Sequence, residues 1–293
     1  MKTIRELLQN RANFATSMSL FITSLNSGSN GNCYYVGSDK DAVLIDAGLS
    51  CRETEKRMKR LGLEMSKVRA IFISHEHGDH ICGLEVLATK HKLPIYITPA
   101  TLHQSSLRLN ANTVMHFVPY SPVSIGSLSV TAFPKYHDAI DPHSFVITGG
   151  EVSVGVFTDI GTVCTHVIDN FKKCHAVFLE ANYDEDMLEN GRYPTHLKKR
   201  ISGDNGHLSN RQALHLFIDH KPAFMTHLFL SHISKQNNDP TLTYNLFSGH
   251  TTGVKIIMAS RFKETAVYEI SNEVSKKSHE NPATVNTMQM SLF

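Results

Sequence analysis

The stretch Val68–His80, VRAIFISHEHGDH, runs an apolar segment of strand length straight into His75, His77, Asp79 and His80. Four such groups within six residues cannot all be satisfied as core side chains, because each buried polar group needs its own partner. At the end of a strand, His75 and His77 can face one pocket. Asp79 and His80, about one turn further on at a helix start, can face a second pocket beside it. Imidazole and carboxylate donors suit zinc, manganese or iron rather than calcium.

One turn cannot close two metal sites, so further donors are expected at other strand ends. His137 in FPKYHDA, Asp159 in VFTDIG, His232 in LFLSHIS and Asp46 in VLIDAG each follow an apolar run. A single strand-terminal Asp or His more often caps or bonds locally. Together with the histidine turn they make a coherent set.

The same runs outline the fold. Strand-like segments are read at 19–25, 33–36, 42–45, 68–73, 95–98, 114–118, 129–133, 144–148, 152–157, 176–179, 224–230, 254–258 and 266–270. Helix-like segments are read at 52–61, 79–90, 100–109, 163–171, 184–190, 210–219 and 241–247. Strands in runs with helices between and after them predict sheets covered by helices, an α/β or α+β layered domain.

The bulk properties fit an ordinary globular protein: 293 residues, 41% apolar and 19% charged, with a formal net charge of +2. Near-neutral charge neither requires nor excludes a nucleic-acid partner, because binding needs only a local basic patch. The five cysteines form no CxxC pair, which predicts a reduced, cytoplasmic protein. Residues 1–17 lack a sustained apolar region and are read as an extension, with no secretory signal expected. No stretch reaches the length of a membrane span. The domain is expected over 18–271, followed by a flexible tail, 272–293.

The HxHxDH turn, the preceding IDAG and the later His, Asp and His resemble the metallo-β-lactamase superfamily. The resemblance narrows with SLNSGSNGNCYYVG (24–37), LIDAGLS (44–50), LEANYDEDML (179–188), GRYPTHLKKRISGDNGHLSN (191–210) and HISKQNN (232–238). These look like the YycJ/WalJ branch, regarded as metal-dependent DNA exonucleases, over about residues 18–270. The resemblance implies an α+β, four-layer αββα sandwich holding two divalent ions, with zinc favoured over manganese or iron. It implies that His75, His77 and His137 hold one ion, that Asp79, His80 and His232 hold the other, and that Asp159 bridges them. Asp46 would orient the histidine turn. Glu180 in LEAN and His207 in GHLSN resemble the helper pair of tRNase Z-like phosphodiesterases. Catalytic roles are therefore expected at Asp79, His207 and Glu180.

The loop SGSNGN offers Ser27, Ser29, Asn30 and Asn32 to a phosphate. Only 48 residues separate Asp159 from His207, too few for an inserted nucleic-acid clamp domain. DNA with free ends is the expected partner. RNA processing and hydrolysis of a small ester, thioester or lactam are the competing readings. The chain ends on Gln289-Met290-Ser291-Leu292-Phe293, which resembles the pentapeptide by which bacterial replication and repair enzymes bind the DNA sliding clamp. A polar tether ahead of it suits docking in an extended form.

Overall fold

The computed structural model describes residues 18–272; the extension 1–17 and the clamp-like residues 289–293 lie outside the described residues. Strands are numbered in chain order. One sheet runs edge to edge as β14 (Tyr268–Ile270), β1 (Leu20–Asn26), β2 (Cys33–Gly37), β3 (Ala42–Ile45), β4 (Val68–Phe72), β5 (Ile95–Tyr96) and β6 (Val114–Met115). The other runs as β13 (Lys255–Met258), β12 (His227–Ser231), β11 (Ala176–Glu180), β10 (Val152–Phe157), β9 (His143–Gly149), β8 (Leu128–Pro134) and β7 (Val123–Ile125).

Period-two alternation decides how the sheets stack. Tyr34, Val36, Val43, Ile45, Ala70 and Phe72 point into a core shared with Val130, Phe145, Val154 and Phe178 of the facing sheet. Their neighbours Tyr35, Leu44 and Ile71 point the other way, into a core completed by Met58 and Leu87 of the helices Cys51–Arg60 and Leu84–His91. The second sheet is covered likewise, with Phe171, Phe217 and Phe247 of three helices packed on Phe157, Val177 and Leu228. Strands buried on both faces read as continuous apolar runs, which is why the sequence shows them so clearly. The result is the expected four-layer αββα sandwich. No helix among the described residues is long and apolar enough to cross a membrane.

Strand direction positions the site. β3 and β4 are parallel, as are β10, β11 and β12. β8 pairs antiparallel with β9, and β9 with β10, so β8 runs with β10. The carboxyl ends of these strands carry Asp46, the histidine turn, His137, Asp159, Glu180 and His232. Asp46, Asp159 and His232 leave their strands with φ of 63°, 55° and 54°. This left-handed region is uncommon outside glycine, and Asp and His enter it more readily than most residues.

The expected helix 79–90 is two helices, Gly78–Ile81 and Leu84–His91. The break lies at Gly83, where a Cβ would sit 1.7 Å from the Leu49 carbonyl oxygen. Gly48 makes the matching approach, its added Cβ meeting the Asp79 carbonyl oxygen at 1.7 Å. Backbone bonds knit the three loops together: Asn32 N–H to Asp79 O, Gly48 N–H to Asn32 O, Ala47 N–H to His80 O and Gly83 N–H to Ala47 O, all 2.7–2.9 Å. The short edge strand β7 is absent from the apolar runs read in the sequence, because only Ile125 of its three residues is buried and the exposed Ser124 interrupts the run.

A methyl group at position 48 must push the IDAG loop off the histidine turn. Gly48→Ala should therefore cost roughly 2–4 kcal/mol of stability and lower metal content together with the melting temperature. Thermal melts and elemental analysis check this; an unchanged value in both would show that the loops separate freely.

Candidate metal centre

Asp46 is fully buried and lies beneath the turn rather than within the cleft. Its carboxylate accepts from Ser74 N–H and Ser74 Oγ–H, both at 2.8 Å, and pairs with His80 Nδ1 at 2.7 Å. The turn is thereby fixed at both ends. His77 precedes the helix Gly78–Ile81, which carries Asp79 and His80.

The expected residues gather in two overlapping groups. His75, His77 and His137 each offer a donor atom within 4.8 Å of the others, and so do Asp79, His80 and His232. Asp159 lies between the groups. Its carboxylate is 3.3 Å from His80 Nε2, 3.5 Å from His232 Nε2 and 3.9 Å from His137 Nε2.

Most of the rings share one orientation. His80 Nδ1 pairs with Asp46, His137 Nδ1 donates to the Gly206 carbonyl at 3.0 Å, and His232 Nδ1 pairs with Glu180 Oε1 at 2.9 Å. Each ring thus turns Nε2 toward the centre. A carboxylate or carbonyl on the far nitrogen fixes the tautomer of a metal-ligating histidine and raises its basicity. His77 differs, its Nδ1 meeting His75 Nε2 at 3.1 Å.

Among the described residues, His137 Nε2, His232 Nε2 and Asp159 Oδ2 are buried with no partner of hydrogen-bond geometry. Buried polar atoms are rarely left so, and all three aim at the space between the groups. Imidazole nitrogens and carboxylate oxygens in this number fit divalent transition ions. Protonation preferences divide the site. Burial pushes His75 well below the usual histidine range and His137 down to about 4. Burial also opposes charge on His232, but Asp159, Asp79 and Glu180 outweigh it and raise the ring to about 10. His80 is likewise raised, with burial overcome by Asp159, Asp46 and Asp79.

Glu180 is fully buried and is the second hub. Its Oε2 accepts from Ile160 N–H at 2.8 Å and Leu208 N–H at 3.1 Å, while Oε1 meets His207 Nδ1 at 2.8 Å and His232 Nδ1 at 2.9 Å. It therefore reaches the cleft only through these two rings. His207 keeps 21% of its side chain exposed and borders a cleft of about 190 Å³ with Tyr193 and Arg200.

The SGSNGN loop departs from its expected role at two positions. Ser27 Oγ accepts from His232 N–H at 2.7 Å and bonds Tyr34 Oη; Asn32 Nδ2 bonds Asp79 at 3.1 Å. Both side chains are buried supports, and only Ser29 and Asn30 are exposed. Lys135 was not singled out by its neighbours in the sequence. It is buried, donating from Nζ to the Thr158 carbonyl at 2.6 Å just before Asp159. Its signal was its spacing of two from His137, the same side of an extended chain.

Two sheets with donors converging at their carboxyl ends define a metal-dependent hydrolase of the metallo-β-lactamase fold. A family model described as "Beta-lactamase superfamily domain" matches residues 41–233. "Exodeoxyribonuclease YycJ" of Bacillus anthracis is 36% identical over 75% of this chain and 85% of the relative. "Exodeoxyribonuclease WalJ" of Streptococcus pneumoniae (strain D39) is 30% identical over 75% of this chain and 84% of the relative. The chain therefore belongs to the YycJ/WalJ family of the β-lactamase superfamily. The fold is also that of the metallo-β-lactamase fold protein YhfI from Bacillus subtilis, with TM-score 0.67 at 19% identity over 86% of this chain and 99% of YhfI.

Because the surrounding carboxylates favour the protonated rings of His80 and His232, an ion binding their Nε2 atoms competes with protons. Metal affinity should rise with pH across the neutral range, with release of about two protons per chain. Calorimetric titration in buffers of different ionisation enthalpy measures this. Affinity independent of pH would contradict the proton-held state of these rings.

Proposed function

We propose that this protein is a metal-dependent exodeoxyribonuclease that releases nucleotides from DNA ends, working from the 5′ end in repair or replication. Two relatives, 36% and 30% identical, are named exodeoxyribonucleases, and the chain spans 85% and 84% of their length. The observation that carries phosphodiester chemistry is His207, fixed by Glu180 and partly exposed at the edge of the donor cluster. His75, His77 and His137 would hold one ion, Asp79, His80 and His232 the second, with Asp159 shared. Paired divalent ions supply Lewis-acid activation of water and of the scissile phosphate.

The chain's own groups do the rest. Glu180 holds His207 Nδ1–H, so Nε2 is the nitrogen left to give a proton to the departing sugar oxygen. Glu180 positions His207 and His232 without touching substrate. Ser29 and Asn30 remain on the SGSNGN loop for a terminal phosphate. All five cysteines are free thiols, in keeping with a cytoplasmic location.

His207→Ala should keep its metal while losing roughly two to four orders of magnitude in rate on DNA. The loss should shrink on a diester with a good leaving group. End-labelled single- and double-stranded DNA should yield mononucleotides from one end. Nicking of closed circular DNA, or turnover confined to RNA, thioesters or lactams, would refute the assignment.

We also propose that Gln289, Met290, Ser291, Leu292 and Phe293 bind the sliding clamp. A chain ending at Met288 should lose clamp affinity in a direct titration while hydrolysing free oligonucleotides at nearly the full rate. Equal affinity of both chains for the clamp would remove this partner.

A further inference from the structure

Beside the metal centre, on the His232 side, lies a cleft of about 480 Å³. That is within the size range of small-molecule sites. Ile233, Ser234 and Lys235 form one wall and Ser260–Lys263 another. Hydrogen bonds tie one wall of the cleft to the loop that supports His232. Ser27, whose hydroxyl holds the His232 backbone, donates its own N–H to the Ser260 carbonyl at 3.1 Å. Asn30 of the same loop donates to the Arg261 carbonyl at 2.8 Å.

Among the described residues, its lining contains Lys235, Arg261 and Lys263 and no carboxylate. Its rim carries Phe262, 71% exposed. An exposed aromatic on a loose loop would mean little, but this loop is pinned. Buried Arg57 donates to the Phe262 carbonyl at 3.2 Å, and Phe262 N–H donates to Ser260 Oγ at 3.1 Å. Arg60 forks onto Glu264 with two bonds of 2.7 Å, and Thr265 N–H bonds the Ser24 carbonyl. The backbone that presents the ring is thus tied to β1 and to the helix Cys51–Arg60. An exposed aromatic ring on a pinned backbone, next to clustered cations, is the combination that holds single-stranded nucleic acid: bases stack, and cations track the backbone.

We infer that this cleft binds one nucleotide unit of the substrate strand, its unpaired base stacked on Phe262 and its phosphate met by Lys235, Arg261 and Lys263. The inference rests on the nuclease reading above and deepens it, because a base can stack there only when it is out of the duplex. Single-stranded or frayed ends are then the form engaged.

Phe262→Ala should raise KM for a single-stranded oligonucleotide by about tenfold, in line with the loss of one stacked base. It should leave kcat, and hydrolysis of bis(p-nitrophenyl) phosphate, unchanged, and Phe262→Trp should restore KM. Affinity for a hydrolysis-resistant phosphorothioate strand, followed by anisotropy, should fall in parallel. Lys263→Ala should weaken binding of all sequences and reduce the salt slope by about one. Unchanged affinity in Phe262→Ala overturns the inference. So does an equal loss on bis(p-nitrophenyl) phosphate, or sedimentation showing a dimer that the substitution dissociates, which would give this face to a second copy of the chain. Wild-type protein that binds the strand through Phe262 yet releases no nucleotides would refute the nuclease reading and leave the cleft assigned. Active nuclease with an indifferent Phe262 would do the reverse.

Discussion

Carboxylates out of water are the constraint around which this protein is organised. Asp46, Asp159 and Glu180 lie at the floor where strand carboxyl ends meet, each nearly or completely inaccessible. A buried carboxylate is tolerated only when its oxygens are met by donors or cations. For Asp46 the donors come from Ser74 and His80, and for Glu180 from two backbone amides and two imidazoles. The two residues act as brackets, one in each sheet. Asp46 fixes the histidine turn, and Glu180 fixes His207 and His232. Asp159 differs in kind. One of its oxygens has no hydrogen-bond partner among the described residues, and the rings of His80, His232 and His137 stand 3.3, 3.5 and 3.9 Å from its carboxylate.

The same logic explains the polar motifs that hold no metal. Asn182 donates to the His232 carbonyl at 2.9 Å, and Asn238 donates to the carbonyls of Ala181 and Asn182 and to the Asn210 side chain. The segments LEANYDED, GHLSN and KQNN are therefore one unit. Each supplies the hydrogen bonds the next would lack where loops pass under the site. Ser209 adds a capping box with Gln212 that starts the helix Asn210–His220, so the residue after Leu208 fixes both a helix and the loop carrying His207.

Much of this was legible in the sequence because strands buried on both faces have few polar residues to blur them. The ends of apolar runs marked Asp46, His75, Asp159, Glu180 and His232, since a polar group there must have a reason to be buried. What escaped was whatever depended on which way a side chain turns. Ser27 and Asn32 sit in a loop whose composition suits a phosphate cradle, yet both face inward as supports. Lys135 reads as a surface lysine until the strand register places it beneath Asp159. The break at Gly83 is set by the approach of the Leu49 carbonyl, a contact between segments that no local pattern encodes. The wall that carries Phe262 is tied through its carbonyl to Arg57, more than 200 residues away in sequence.

Several unfavourable features gather at one edge. Three non-glycine residues in the left-handed region, each costing on the order of 1–3 kcal/mol, stand beside a buried lysine and three unpartnered polar atoms. None of these features reaches into the three apolar cores, whose strands are paired along their length. The scaffold can therefore hold a strained, charge-dense rim without losing the sheets that position it. Ions seated there would satisfy the orphaned atoms and take over from the protons on His80 and His232, so metal binding and rim stability are coupled through the same side chains. Rigid sheets and a rim completed by metal give a site whose donor atoms are already converged before substrate arrives.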